Sequence, residues 1–244
     1  MTANSIVPRW KKIIEKALEQ YPKATAFQLA TLDAEAPVPR ARSHIFRSFL
    51  DDPKTPGLPL LISSTDVRTP KVHQILNNPN TESCWWIEQT SEQFRIAGRV
   101  SLVTSPHHQL YKVTREQLLN NANVDSEGGL AALRPAEYDW ETKRVEVFKN
   151  MSAHMKASWC RPTPGSVLEG GPDAAKKWPV RVEEPKEGDS EEVRKNWATA
   201  LGNFALVVIE PSEVDYVTMA VVPNRRFMFT RAVEGGWDEV EVVP

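Results

Sequence analysis

Gln93-Phe94-Arg95-Ile96-Ala97-Gly98-Arg99-Val100 alternates polar and apolar side chains with a period of two, the pattern of a strand with one buried face. Gly98 inside it marks a place where another backbone or a ligand comes close, because only a residue without a side chain leaves that room. Residues 81–88 read as a second apolar strand, and the short polar link Gln89-Thr90-Ser91-Glu92 joins the two as a hairpin. Further strands are predicted over residues 25–32, 39–49, 60–64, 204–210, 214–221, 226–231 and 239–242. Turns are expected at residues 33–36, at Pro211-Ser212 and at Glu234-Gly235-Gly236, and a loop over the proline-rich residues 51–59.

Helical signals fall between these strands. Trp10, Ile13, Ile14, Ala17, Leu18 and Tyr21 recur at helical spacing, and Pro22 closes that helix. Thr69-Pro70 reads as an N-cap followed by a first-turn proline, with the helix ending before Pro79. Ser105-Pro106 repeats the signal and predicts a helix to about residue 120. Helices are also expected over residues 139–158, with Trp140, Val147, Phe148 and Met151 on one face, and over 190–202. Residues 161–189, rich in proline, glycine and charge, read as an irregular loop. Short strands in hairpins with helices inserted between them argue against alternating βαβ units. They predict a mainly β (α+β) chain, an antiparallel barrel with peripheral helices, as a single domain over residues 1–244.

Composition narrows the function. The net charge of -2 offers no basic excess for nucleic acid or an anionic membrane. The eight tryptophans therefore read as core and interface, not as a platform for stacking bases. The two cysteines make neither a disulfide framework nor a metal spacing, and His107-His108 has no further ligand nearby. The charged N-terminal stretch does not resemble a signal peptide, and no apolar run is long enough to span a bilayer, so a cytoplasmic protein is expected. Only 11 glycines stand against 19 prolines, and no glycine-rich phosphate loop occurs. Any phosphate must be held by side chains.

Side chains suited to that work are present. Arg40, Arg42 and His44 share one strand face, and Arg47 points to the other. Ser63, Ser64, Thr65, Arg68, Thr69 and Lys71 cluster where a strand meets a helix N-terminus, supplying hydroxyl donors and positive charge to an oxyanion. Taken alone, either cluster also fits an ordinary solvated surface. Gln93, at the start of its strand, both donates and accepts, as reading a heterocycle edge requires.

In order along the chain, these segments resemble the flavin-binding core of the pyridoxamine 5′-phosphate oxidase-like family. The matching segments are Arg42-Ser43-His44-Ile45-Phe46-Arg47, then residues 64–75 from Ser64-Thr65 through Arg68-Thr69-Pro70-Lys71, then Gln93 to Arg99. Arg225-Arg226-Phe227 resembles the family's last flavin contact, and Met155-Lys156-Ala157-Ser158-Trp159 is similar to its middle segment. The resemblance implies a split β-barrel that holds FMN between the protomers of a homodimer. Arg42, Lys71 and Arg68 would neutralise the FMN phosphate, with Thr65 donating a hydrogen bond beside Ser64. The backbone of Ser43, His44, Ile45 and Phe46 would lie along the isoalloxazine. Arg47, Gln93 (from the partner subunit) and Arg226 would tune the ring.

The substrate side departs from the family. Val222-Pro223-Asn224-Arg225-Arg226 lacks the Arg-x-His pair of the oxidase, and Val217 or Tyr216 stands where a tryptophan is expected. Tyr111 and Arg115 keep only part of the Tyr…Arg…Ser set for a substrate phosphate. The expected function is a flavin-dependent oxidoreductase of a small molecule. The alternative is a non-catalytic FMN- or haem-binding split barrel, with His44, His73, His107, His108 and His154 as the candidate axial ligands. A barrel that has lost its ligand and serves protein interaction is a third reading.

Overall fold

Phe204-Ala205-Leu206-Val207-Val208-Ile209 is a continuous apolar run because both of its faces are buried. Ala205, Val207 and Ile209 enter one core cluster, while Phe204, Leu206 and Val208 enter another. This run begins the longest strand of a computed structural model that describes residues 6–33, 37–122, 128–134, 138–233 and 235–244.

The described strands are β1 (Ala26–Leu32), β2 (Pro39–Ile45), β3 (Ser48–Leu50), β4 (Leu60–Asp66), β5 (Asn80–Ile87), β6 (Glu92–Val103), β7 (Phe204–Thr218), β8 (Arg225–Arg231) and β9 (Trp237–Val242). They form one antiparallel sheet in the order β2-β1-β5-β6-β7-β4-β3, with β8 on the second half of β7 and β9 on β8. The helices are α1 (Arg9–Gln20), α2 (Pro70–Asn77), α3 (Tyr111–Ala122), α4 (Trp140–Lys149), α5 (Ala153–Ser158), α6 (Gly171–Ala175) and α7 (Glu191–Asn203). The fold is α+β, as expected. Among the described residues no helix is long and apolar enough to cross a membrane.

The sheet curls around the first core cluster, into which α1 inserts Trp10 and Ile14, both fully buried. Trp10 meets Phe49 and Trp237 edge to face, with centroids 5.9 and 5.3 Å away. Burial of each such side chain contributes about 1.5–3 kcal/mol. The second cluster packs α3, α4, α5 and α7 onto β4 and the first half of β7. The curl does not close. Residues 39–49, expected as one strand, break because successive amides turn to different partners. Phe46 N–H donates to Thr25 O and Arg47 N–H to Ile62 O, both at 2.8 Å. The chain thus leaves β1 and joins β4, and a split remains between β2 and β4, the split barrel that the resemblance implies.

Several other expectations change. Pro211-Ser212 is not a turn: β7 runs through it, and Ser212 is the extra residue of a bulge opposite Ala97 and Gly98. The third helix begins at Tyr111, because residues 105–110 form turns instead, with the His108 ring accepting from Leu110 N–H at 3.1 Å. The helix expected over 139–158 is two, since Ser152 caps a fresh start by accepting from Met155 N–H. The irregular segment 161–189 contains the short α6. Residues 34–36 and Glu234, in two expected turns, lie outside the described residues.

The close approach read at Gly98 is to a backbone. A Cβ there would sit 2.1 Å from Glu210 O. Gly98→Ala is therefore expected to destabilise the fold by about 2–4 kcal/mol, more than an ordinary overpacked site. A urea midpoint unchanged from the parent protein would refute this account of the bulge.

Candidate functional site

A cavity of about 1240 Å³ opens in the split. One wall consists of the end of β2, with Ser43, His44, Ile45 and, just beyond it, Arg47. Beside them stand Ser64, Thr65 and Asp66 of β4, then Arg68, Thr69 and Lys71 at the start of α2. The opposite wall carries Met155, Ser158, Trp159, residues 161–169 and Trp178.

The first wall is cationic, and two of its cations, Arg47 and Lys71, pair with no carboxylate among the described residues. Lys71 Nζ donates to Thr65 Oγ1 at 3.1 Å and to Thr69 Oγ1 at 3.3 Å. Arg47 Nε donates to Ser64 Oγ at 3.2 Å. Among the described residues neither forms an ion pair with a carboxylate. Burial pulls both below their ordinary pKa; at Lys71 the charge of Arg42 adds to this and that of Asp66 opposes it. Desolvated cations held by hydroxyls alone present an unmet demand for an anion. This donor set fits a phosphate.

Other expected site residues have different surroundings. Arg42 does not line the cavity. Its guanidinium donates to Leu29 O, Thr31 Oγ1 and Gln74 Oε1, from where its charge still reaches Lys71. Phe46 packs in the core against Phe49 and Trp85. Arg68 lines the cavity but is engaged. It pairs with Asp66 through Nε and Nη2 at 2.9 and 2.6 Å, and Nη1 donates to Arg161 O at 2.9 Å. Gln93 and Arg226 lie on the outer sheet face, away from the cavity, in one register row with Trp86 and Val217. There Arg226 grips Asp215 in a two-point pair at 2.9 and 2.8 Å, and Arg95 shares the same carboxylate. Burial pushes the Asp215 carboxyl up, but hydrogen bonds from Arg226 and Arg95 outweigh it and hold it below the ordinary range.

Among the described residues His44 is the one histidine lining the cavity. It is only 4 % exposed, and its Nδ1 lies 3.1 Å from Ser63 Oγ. The Ser63 hydroxyl proton goes to Ile45 O at 2.9 Å. Nδ1 therefore carries the proton and donates, leaving Nε2 as an acceptor. Nε2 is buried and has no hydrogen-bond partner among the described residues.

Comparison with known proteins agrees with this geometry. Residues 7–104 match the family model described as pyridoxamine 5′-phosphate oxidase, FMN-binding domain. Over those residues the chain is similar to the pyridoxamine 5′-phosphate oxidase-like family. Pyridoxine/pyridoxamine 5′-phosphate oxidase 2 of Arabidopsis thaliana is 24% identical over 233 residues, covering 94% of this chain and 91% of the plant protein. A pyridoxamine 5′-phosphate oxidase-related, FMN-binding protein of Nostoc punctiforme PCC 73102 has the same fold, with TM-score 0.67 and 24% identity over 98% of this chain and all of that one (100%). PhzG of Burkholderia lata 383, solved with tetrahydrophenazine-1-carboxylic acid, aligns with TM-score 0.55 and 14% identity over 99% of this chain and 96% of its own.

The site residues not foreseen are those of the second wall. Resemblance around residues 155–159 pointed toward Ser158 and Trp159. The direction taken by residues 161–169 has no local signal, because a loop's path is set by what it packs on.

His44 gives the site a pH signature. Burial first, then the charges of Lys71, Arg42 and Arg47, lower its pKa from 6.5 to about 3. Between those values the unfolded chain binds a proton that the folded one refuses. Stability from this residue is thus complete above pH 6.5 and is lost as pH falls toward 3. In His44→Gln the fall in stability with acidification between about pH 6 and 4 should be shallower by about 1.4 kcal/mol per pH unit. Urea unfolding across that range measures it, and parallel pH profiles would rule the assignment out.

Proposed function

We propose that this protein binds FMN in the split between β2 and β4 and acts as a flavin-dependent oxidoreductase of a small molecule. The observation that carries the reading is the pair of buried cations, Arg47 and Lys71, held by hydroxyls and paired with no carboxylate. Arg47 and Lys71 would meet the phosphate, with Ser64, Thr65 and Thr69 adding hydroxyl donors. Arg42 would contribute its charge from behind Lys71. Arg68 would act on the site mainly by holding Asp66 and the backbone at Arg161. The β2 edge from Ser43 to Ile45 would run beside the ring system.

When bound, the flavin would supply the hydride chemistry. The chain's own part would be to position and to exclude water. His44 stays neutral at physiological pH, so it would add no charge to the site. The missing Arg-x-His pair and the partial Tyr111/Arg115 set argue that the substrate is not held as in the pyridoxamine phosphate oxidase.

A homodimer belongs to the same reading. Gln93 and Arg226 do not line the cavity, so they would reach a flavin only from a second protomer. The outer face that carries them also exposes Trp86 (42%) and Val240 (58%), apolar area suited to a matching copy. Haem has weaker support, since the cavity's one histidine has its free nitrogen buried.

The visible spectrum of the purified protein, with chromatography of the released cofactor, tests the reading. FMN equimolar with protomers is expected, and a colourless protein that takes up no added FMN refutes it. Lys71→Met should weaken FMN binding about ten- to hundredfold, the worth of a charge-assisted hydrogen bond of about 1.5–3 kcal/mol. Fluorescence titration would show this.

A further inference from the structure

The cavity's two walls differ in kind. Its cations other than Arg161 lie on the β2, β4 and α2 side, together with the hydroxyls of Ser64, Thr65 and Thr69. Facing them are Met155, Trp159, Pro162, Pro164, Leu168 and Trp178. Arg161 and Glu169 add one cation and one carboxylate to that side, so it carries no net charge. Volume separates the two further. A cavity of about 1240 Å³ exceeds the roughly 300–1,000 Å³ that encloses one drug-sized ligand. A single mononucleotide bound by its phosphate leaves part of it over.

The segment 161–169 has the make-up of a built wall. Its base is fixed twice, by Arg68 Nη1 donating to Arg161 O and by Trp159, whose Nε1 donates to Thr65 O at 3.3 Å. Beyond the base it makes local backbone hydrogen bonds, such as Ser166 N–H to Thr163 O and Gly171 N–H to Leu168 O. Gly165 and Gly170, at φ +91° and +74°, make bends that other residues resist. The segment lines the cavity, with Val167 85% and Leu168 45% exposed. Apolar side chains are seldom left in solvent in a contiguous group without something to cover them.

We infer that this wall is a second ligand site, for an uncharged, ring-shaped, largely apolar small molecule bound beside the mononucleotide. The inference rests on the cofactor reading above and names the substrate class for the same cavity. Proline rings and tryptophan faces suit a flat apolar ring. With one cation and one carboxylate, Arg161 and Glu169, that wall as a whole favours neither an anion nor a cation. The class follows from charge complementarity: anionic group on one side, uncharged ring on the other.

The test uses two probes that share one ring system, 1-naphthol and 1-naphthyl phosphate, titrated calorimetrically into FMN-loaded protein. The expected result is 1-naphthol binding at one site per protomer, at least about tenfold tighter than 1-naphthyl phosphate. The double variant Val167→Asp/Leu168→Asp should weaken 1-naphthol about tenfold or more, the loss expected for removing buried apolar contact. Both side chains are exposed, so the fold, the FMN content and the sedimentation coefficient should not change. Failure of 1-naphthol to bind, or equal binding of both probes, overturns the inference. So does a double variant that loses FMN, which would make the wall a flavin contact, or one that changes its association state, which would make it an interface between copies. If the protein takes up no flavin, the cofactor reading falls by itself. In that flavin-free protein 1-naphthol binding that Leu168→Asp abolishes still supports the wall, and its absence overturns it.

Discussion

Two neighbouring amides pointing apart make this molecule. Phe46 N–H reaches back to the start of β1, and Arg47 N–H reaches forward to β4. A backbone amide buried in a sheet must be paired, and here both are, but with strands on either side of a gap. The sheet is therefore seamed at one place and open just beside it. His44 and Ser63 span the same seam from within. Everything chemical about the molecule collects there: the cavity, the unmatched cations and the buried neutral imidazole.

Electrostatics and hydrophobic burial divide that space between them. The cations are costly where they stand, since burial lowers the pKa of Arg47 and Lys71 and the charge of Asp66 only partly opposes this at Lys71. Such an arrangement gives up stability in the empty protein and returns it on binding an anion, so ligand and fold are linked. Asp66 might have neutralised Lys71, but Arg68 holds it in a two-point pair. The same arginine fixes the base of the second wall through Arg161 O, so one side chain maintains both the charge on one side and the position of the other.

The barrel was largely readable because the alternation in β6, the hairpin link after β5, the helix start at Thr69-Pro70 and the apolar run at residues 204–210 are local patterns. The cationic wall was readable for a related reason: Arg47, Ser64, Thr65 and Lys71 lie within short, ordered segments. What escaped depends on distant partners. Arg42 looks like a phosphate ligand by type and spacing, yet Thr31 and Gln74, brought close only by the fold, take its donors. The break at Phe46-Arg47 carries no glycine or proline to announce it. Ser105-Pro106 does announce a helix, but tertiary packing begins the helix six residues further on. The wall at 161–169 is a loop by composition, and composition does not say what a loop will cover.

The bulge at Ser212 has an effect out of proportion to its size. Before it, Ala205, Val207 and Ile209 face the barrel interior; after it, Val214 and Tyr216 do. Odd positions point inward on one half of β7 and even positions on the other, although the backbone is continuous. Asp215, with its two arginines, is outside only because of that extra residue. The spacing between Ile209 and Val214 therefore acts as a phase setting for the whole C-terminal part of the sheet. A substitution among those residues changes one contact, whereas pairing the same residues without the bulge would exchange the inner and outer surfaces of everything that follows. At this point of the chain, what sets the faces is that one residue is left out of the ladder, more than which residue it is.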